Sequence, residues 1–208
     1  SFDLPCHGRS EGKNRESIDN FTDWLASAME KLNIREAAIV GHSMGSLIAL
    51  NFAAKHPDKT RTLALLGTST PMAVSESLLT AAKESDHSAI DMANNWSHSH
   101  FGKLGGNEIP GISMSMSGQR LLEQAPDNTF FSDLKACNEF RDGETAAKSV
   151  LAETLVIVGN KDKMTSPTNA LKVARNIPNS RVCRLENCGH SMLSECPNAV
   201  LDALISIV

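Results

Sequence analysis

The pentapeptide Gly41-His42-Ser43-Met44-Gly45 constrains this chain more than any other stretch, because of what flanks it. Ala37-Ala38-Ile39-Val40 is a short unbroken apolar run that stops at Gly41, as a parallel strand covered on both faces does. Gly45 to Lys55 is rich in Leu, Ile and Ala and ends before Pro57, which reads as a helix. Strand, sharp turn and helix therefore follow one another without a linker. A serine in such a turn sits on strained backbone that projects its hydroxyl, and the close passage of strand and helix calls for glycine on both sides of it.

That unit belongs to a repeating pattern. Ile18, Phe21, Leu25, Met29 and Leu32 recur at helical spacing, which predicts an amphipathic helix over residues 17–33. Leu63-Ala64-Leu65-Leu66 and Leu155-Val156-Ile157-Val158 are strand-like, and Arg181-Val182-Cys183-Arg184-Leu185 is a weaker third run. Ser166 and Pro167, a favoured cap and a favoured first-turn residue, open a helix between the last two, and a final helix starts near Pro197. Strands alternating with helices predict an α/β fold, a mostly parallel sheet with flanking helices. Residues 71–148 interrupt the rhythm with helical segments at Ser75 to Glu84 and Ser117 to Gln124 and a Gly-rich stretch from Gly102 to Gly111. We read them as an inserted helical lid, which divides the chain into a first core part (1–70), the lid (71–148) and a second core part (149–208).

Ser43 is a candidate nucleophile, and a serine hydroxyl at neutral pH needs a base to take its proton and a carboxylate to orient that base. Asp162 follows the strand Leu155 to Val158 through Gly159-Asn160-Lys161, which puts a carboxylate just past a strand's carboxyl end, where open parallel sheets build their sites. His190 follows the last strand candidate within Asn187-Cys188-Gly189-His190-Ser191. Behind the serine, the backbone N–H of Met44 at the helix start faces a developing oxyanion. Asp133 and Asp142, inside the lid, are rival carboxylates. His98-Ser99-His100 and His87 lack a companion ligand set of metal-binding spacing, so they are read as solvated or lid-lining residues. Met72, Met92, Met114 and Met116 line an apolar pocket on one reading and pack the core on the other.

Composition closes off other classes. With 208 residues, 41% of them hydrophobic, the chain can bury a sizeable core. Twenty Lys and Arg against 24 Asp and Glu leave no basic excess for phosphate contacts, which argues against a nucleic-acid partner. No apolar run approaches the roughly 20 residues of a membrane-spanning helix, and Ser1-Phe2-Asp3-Leu4-Pro5 lacks the charged and apolar regions of a signal peptide. The expectation is a soluble, cytoplasmic protein. The five cysteines (Cys6, Cys137, Cys183, Cys188, Cys196), odd in number and without Cys-x-x-Cys spacing, are read as reduced thiols rather than disulfides or a zinc site.

Taken together, these motifs resemble the α/β-hydrolase family, specifically the lidded small-molecule hydrolases that include esterases, lactonases and C–C bond hydrolases. Phe2-Asp3-Leu4-Pro5-Cys6-His7-Gly8-Arg9-Ser10 is similar to the family's Asp-x-Pro-Gly-His-Gly-x-Ser loop after its fourth strand. Gly41 to Gly45 matches its serine elbow, Gly159 to Asp162 its acid loop and Gly189-His190-Ser191 its histidine loop, in the family's order of Ser, Asp, His. Cys6 stands where the family has glycine, so a turn expected to want positive φ carries a side chain at about 1 kcal/mol. The resemblance also implies that the first four strands are absent, with the loop that donates one oxyanion N–H, a loss of about 10² to 10³ in rate. The natural protein is thus expected to be longer, and the strand before Ser43 to present a bare edge. The implied activity is cleavage of a small, largely apolar ester or lactone through an acyl-enzyme, with Ser43 attacking, His190 shuttling protons and Asp162 holding the imidazole. No cofactor or metal is implied. The expected partner is a small-molecule substrate, with no nucleic acid and no membrane, and a homo-oligomer is left open. Two alternatives are a non-catalytic ligand-binding member of the fold and an inactive truncated fragment. Ser in place of Asp at the elbow argues against a dehalogenase.

Overall fold

The computed structural model describes residues 1–106 and 110–208. Helix α1 spans Ile18–Lys31, opened by Ser17, whose side chain accepts from the Asn20 N–H. Its buried residues Ile18, Phe21 and Met29 come from the predicted stripe, whereas Leu32 falls just past the helix and is exposed. Strand β1 (Ala37–His42) and helix α2 (Met44–Lys55) follow, then strand β2 (Thr60–Leu66). After the intervening helices described below come strand β3 (Glu153–Gly159) and strand β4 (Ser180–Leu185), and the four strands pair in the order β1-β2-β3-β4, all parallel. The three strands predicted from apolar runs and the weaker fourth are thus all present.

Between β2 and β3 lie α3 (Glu76–Lys83), α4 (Ser88–Ser97), α5 (His100–Lys103), α6 (Met114–Glu123), α7 (Thr129–Glu139) and α8 (Gly143–Ser149). Helix α6 begins three residues before the predicted Ser117 because Ser113 caps it, its hydroxyl accepting from the Met116 N–H. Part of the Gly-rich stretch, residues 107–109, lies outside the described residues. Helix α9 (Pro167–Asn176) is opened by Ser166 and Pro167 as expected. Two helices close the chain, a four-residue α10 (Met192–Glu195) with no period to announce it, and α11 (Pro197–Ile205). No helix among the described residues is long and apolar enough to cross a membrane.

The sheet is covered unequally. One face packs Ile39, Leu63, Leu65, Val156 and Val158 against α1, α2, α8 and α9. The other packs Ala64, Leu66, Leu155 and Ile157 against Met192, Val200 and Ile207 from α10, α11 and the residues just after it. Val40 shares the second face, since it pairs with Ala64, but it is 46% exposed. The expectation of a strand covered on both faces therefore fails at Val40. The residues of α10 and α11 that cover β2 and β3 do not extend to the edge strand β1. A third cluster joins Ile18, Phe21, Leu47 and Ile48 to Ala136, Cys137 and Phe140, which seats α7 on the core.

Candidate active site

Ser43 sits at the junction of β1 and α2 with φ 54° and ψ −123°, a conformation that costs a non-glycine residue about 1–3 kcal/mol. Its N–H donates to the Leu66 carbonyl at 3.0 Å, and its own carbonyl accepts from the Ser46 N–H and hydroxyl at 2.8 and 2.6 Å. These bonds hold the turn against its strain. Of the two glycines beside Ser43, one is sterically required and the other is not. A Cβ on Gly41 would lie 2.1 Å from the Gly45 carbonyl oxygen, whereas a Cβ on Gly45 would meet nothing within 4 Å. Met44 opens α2, so its N–H has no intrahelical acceptor and lies beside the serine at the positive end of the helix.

His190 and Asp162 converge on this serine. Their loops follow β4 and β3, and Ser43 follows β1, so parallel strands deliver all three to one end of the sheet. His190 Nε2 is 2.8 Å from Ser43 Oγ, and His190 Nδ1 is 2.8 Å from Asp162 Oδ2. The network fixes the tautomer: Nδ1–H donates to the carboxylate, leaving Nε2 to accept from the serine hydroxyl. Both side chains are almost fully buried. Burial alone pushes the Asp162 carboxyl up, but the hydrogen bond and charge of His190, with donation from Thr165, outweigh it and hold the carboxyl below its ordinary value. Thr165 gives its hydroxyl to Asp162 Oδ2 at 2.7 Å, and the Met164 and Thr165 N–H groups both donate to Oδ1 at 2.8 Å.

A family model described as the alpha/beta hydrolase fold matches residues 1–102. The structure superposes on the enol-lactonase from Burkholderia xenovorans LB400 with a TM-score of 0.86 at 20% identity, over 98% of this chain and 77% of that one. The chain has the α/β-hydrolase fold. A pimeloyl-[acyl-carrier protein] methyl ester esterase of Chromobacterium violaceum is 45% identical over 67 residues, 32% of this chain but only 25% of that protein's length. A second esterase of that description, from Neisseria meningitidis serogroup C, is 26% identical over 92% of this chain and 75% of its own length.

Within this α/β-hydrolase fold the remaining candidates fall away from the serine. Asp133, a rival acid, takes His7 Nε2 at 2.7 Å. His7 Nδ1 faces the Pro5 carbonyl at 2.9 Å, so both ring nitrogens meet acceptors and its pKa rises, chiefly through Asp133. Asp142 is exposed ahead of α8. His87 lies between Asp91 and Glu123, His98 is buried with Nδ1 on the Asn94 carbonyl, and His100 is exposed at the start of α5. Among the described residues no three His, Cys, Asp or Glu side chains cluster as metal ligands. Of the four methionines singled out, only Met72 lines the cavity beside Ser43, joined there by Met164. Cys6 does adopt the expected positive φ, 66°, with Sγ 3.5 Å from the Thr129 hydroxyl.

Sequence reasoning missed three supporting residues. Thr165 braces Asp162. His42, inside the pentapeptide itself, donates from Nε2 to the His190 carbonyl at 2.8 Å, its ring 4.8 Å from the His190 ring. Burial, and then the charge of His190, pull its pKa down to about 4, so it is a neutral donor near neutral pH. Glu195 is 6% exposed and accepts from the Gly189 N–H at 3.2 Å and the Ser99 N–H at 3.1 Å. With the Ser191 N–H on the Ser97 carbonyl at 2.8 Å, it ties the His190 loop to the turn between α4 and α5. A Cβ on Gly189 would lie 2.6 Å from the Ser99 nitrogen, which is why this loop begins with glycine. The only sequence signal for Glu195 was a carboxylate a few residues past a candidate histidine.

Proposed function

We propose that this protein is a serine hydrolase that cleaves a small, largely apolar ester or lactone through an acyl-enzyme. The observation that carries the reading is the unbroken chain from Ser43 Oγ through His190 to Asp162, with both links at 2.8 Å. The hydroxyl oxygen attacks the carbonyl carbon while its proton passes to His190 Nε2, and the new imidazolium is stabilised by the Asp162 carboxylate at Nδ1. The carbonyl oxygen, now an anion, receives the Met44 N–H. Collapse breaks the bond to the leaving oxygen, which takes the proton from Nε2. Water, deprotonated in turn by His190, then cleaves the Ser43 ester and releases the acid. These side chains and a water balance the reaction, so the reading calls for no metal or cofactor.

The cavity beside Ser43, about 200 Å³, is lined by Met72, Val74, Leu78, Trp96 and Leu134, which suits a short apolar substrate under a lid formed by the helices of residues 71–148. The esterases and the enol-lactonase compared above favour ester or lactone chemistry over other bonds. The test is labelling of the native chain with a fluorophosphonate, followed by peptide mapping. Labelling confined to Ser43, absent after heat denaturation and in Ser43→Ala, is the expected result. A cooperatively folded protein that takes no label overturns the mechanism and favours a ligand-binding role for the same pocket.

A further inference from the structure

The cavity beside Ser43 has a second chemical feature that ester cleavage does not use. Its wall is apolar, and among the described residues no carboxylate lines it, yet Lys163 does, while being exposed. That combination places the lysine stem at the mouth. Lys163 forms no ion pair with any described residue. Its backbone is not adrift, because Asp162 clamps the turn by accepting from the two N–H groups that follow Lys163, at 2.8 Å each. Lys103 of α5, hydrogen-bonded to Asn95, has its pKa pulled down first by burial and then by the charge of Lys163, with Glu195 acting against both. A lysine without an ion-pair partner at the rim of an apolar cavity forms a field that a monoanion relieves.

We propose that the physiological substrate is a half-ester or lactone whose short apolar chain ends in a carboxylate, and that Lys163 receives that carboxylate at the cavity mouth. The inference rests on the hydrolase reading above but adds a substrate class to it. Lys163 is a binding residue in this scheme and touches none of the bonds that change, so its effect falls on KM rather than kcat. Because the pair is open to solvent, the effect is modest and salt-dependent, about fivefold.

The experiment compares monomethyl adipate with methyl hexanoate, esters of matched reach that differ in the terminal charge. The ratio of their kcat/KM values is expected to favour the half-ester at low ionic strength and to fall as salt is added. Lys163→Met is expected to lower that ratio about fivefold through KM, Lys163→Arg to keep it and Lys163→Glu to reverse it. A ratio of one in the wild type, or one that Lys163→Glu leaves unchanged, overturns the proposal while leaving the hydrolase reading intact. If neither ester is turned over, calorimetric binding decides: tighter, Lys163-dependent binding of the half-ester upholds the anion site, and equal binding of the two overturns it.

Discussion

Gly41 and Gly45 bracket the same serine, yet only one of them is under steric compulsion. A methyl group on Gly41 has to displace the Gly45 backbone, 2.1 Å away, so Gly41→Ala is expected to destabilise the fold by about 3 kcal/mol or more and to disturb Ser43. Gly45 lies inside α2 with open space around it, and Gly45→Ala is expected to be neutral or to stabilise by about 0.5–1 kcal/mol through helix propensity. Urea denaturation of the two variants reads this directly, and equal losses would defeat the asymmetry. The sequence made the strained serine legible, since an apolar run, a turn and a helix former adjoin there. It could not say which glycine the packing needs, because that depends on the angle at which α2 leaves β1. His42 shows the same limit: a residue adjacent to Ser43 looks like filler until its Nε2–H is found on the His190 carbonyl.

Helices α4, α7 and α8 inside the lid went unread, while at the scale of elements the strands and helices α1, α2, α3, α6, α9 and α11 were readable from apolar runs, helical segments or capping residues. The short helices α5 and α10 were not, since four residues show no period. Those two elements, with Ser99 and Gly189, are what Glu195 joins. A carboxylate can satisfy two backbone N–H donors with its two oxygens, whereas an amide offers one oxygen and turns its NH₂ toward the second donor. Leaving one buried N–H unpaired costs about 1–3 kcal/mol, and the strain falls on the loop that aims His190. Glu195→Gln is therefore expected to lower kcat about tenfold with little change in KM, since the imidazole is misdirected while the cavity walls stay in place. Glu195→Asp, which keeps both oxygens, is expected to recover part of the loss. A rise in KM with kcat intact would mean that Glu195 serves the cavity instead, and steady-state kinetics on one ester separates the two outcomes.

Across the whole molecule, four parallel strands bring together residues that the sequence holds far apart, and this convergence is what the order Ser, Asp, His could foretell without giving a distance. Convergence also crowds two histidines and a carboxylate into one dry region, and pH exposes the consequence. His42 has an ordinary value of 6.5 but a folded value of about 4, set by burial and then by the charge of His190. Below pH 6.5 the unfolded chain therefore binds a proton that the folded chain refuses, so stability rises with pH across the window from 4 to 6.5 and is flat above it as far as His42 is concerned. The full effect reaches about 3 kcal/mol by pH 4, at 1.36 kcal/mol per unit. Asp162, held below its ordinary value of 3.8, adds stability that is lost only at lower pH, outside this window. His7, raised by Asp133, acts in the opposite direction: its contribution is present below 6.5 and lost as pH rises, so it blunts the slope near neutrality without reversing it in acid. Unfolding free energies measured by urea at pH 7, 6, 5 and 4.5 are expected to fall steadily, and His42→Gln, which keeps an N–H for the His190 carbonyl but cannot titrate, is expected to remove most of the decline. The same slope in both proteins would assign the acid sensitivity to other groups, and would mean that His42 is protonated where it stands between its neighbours.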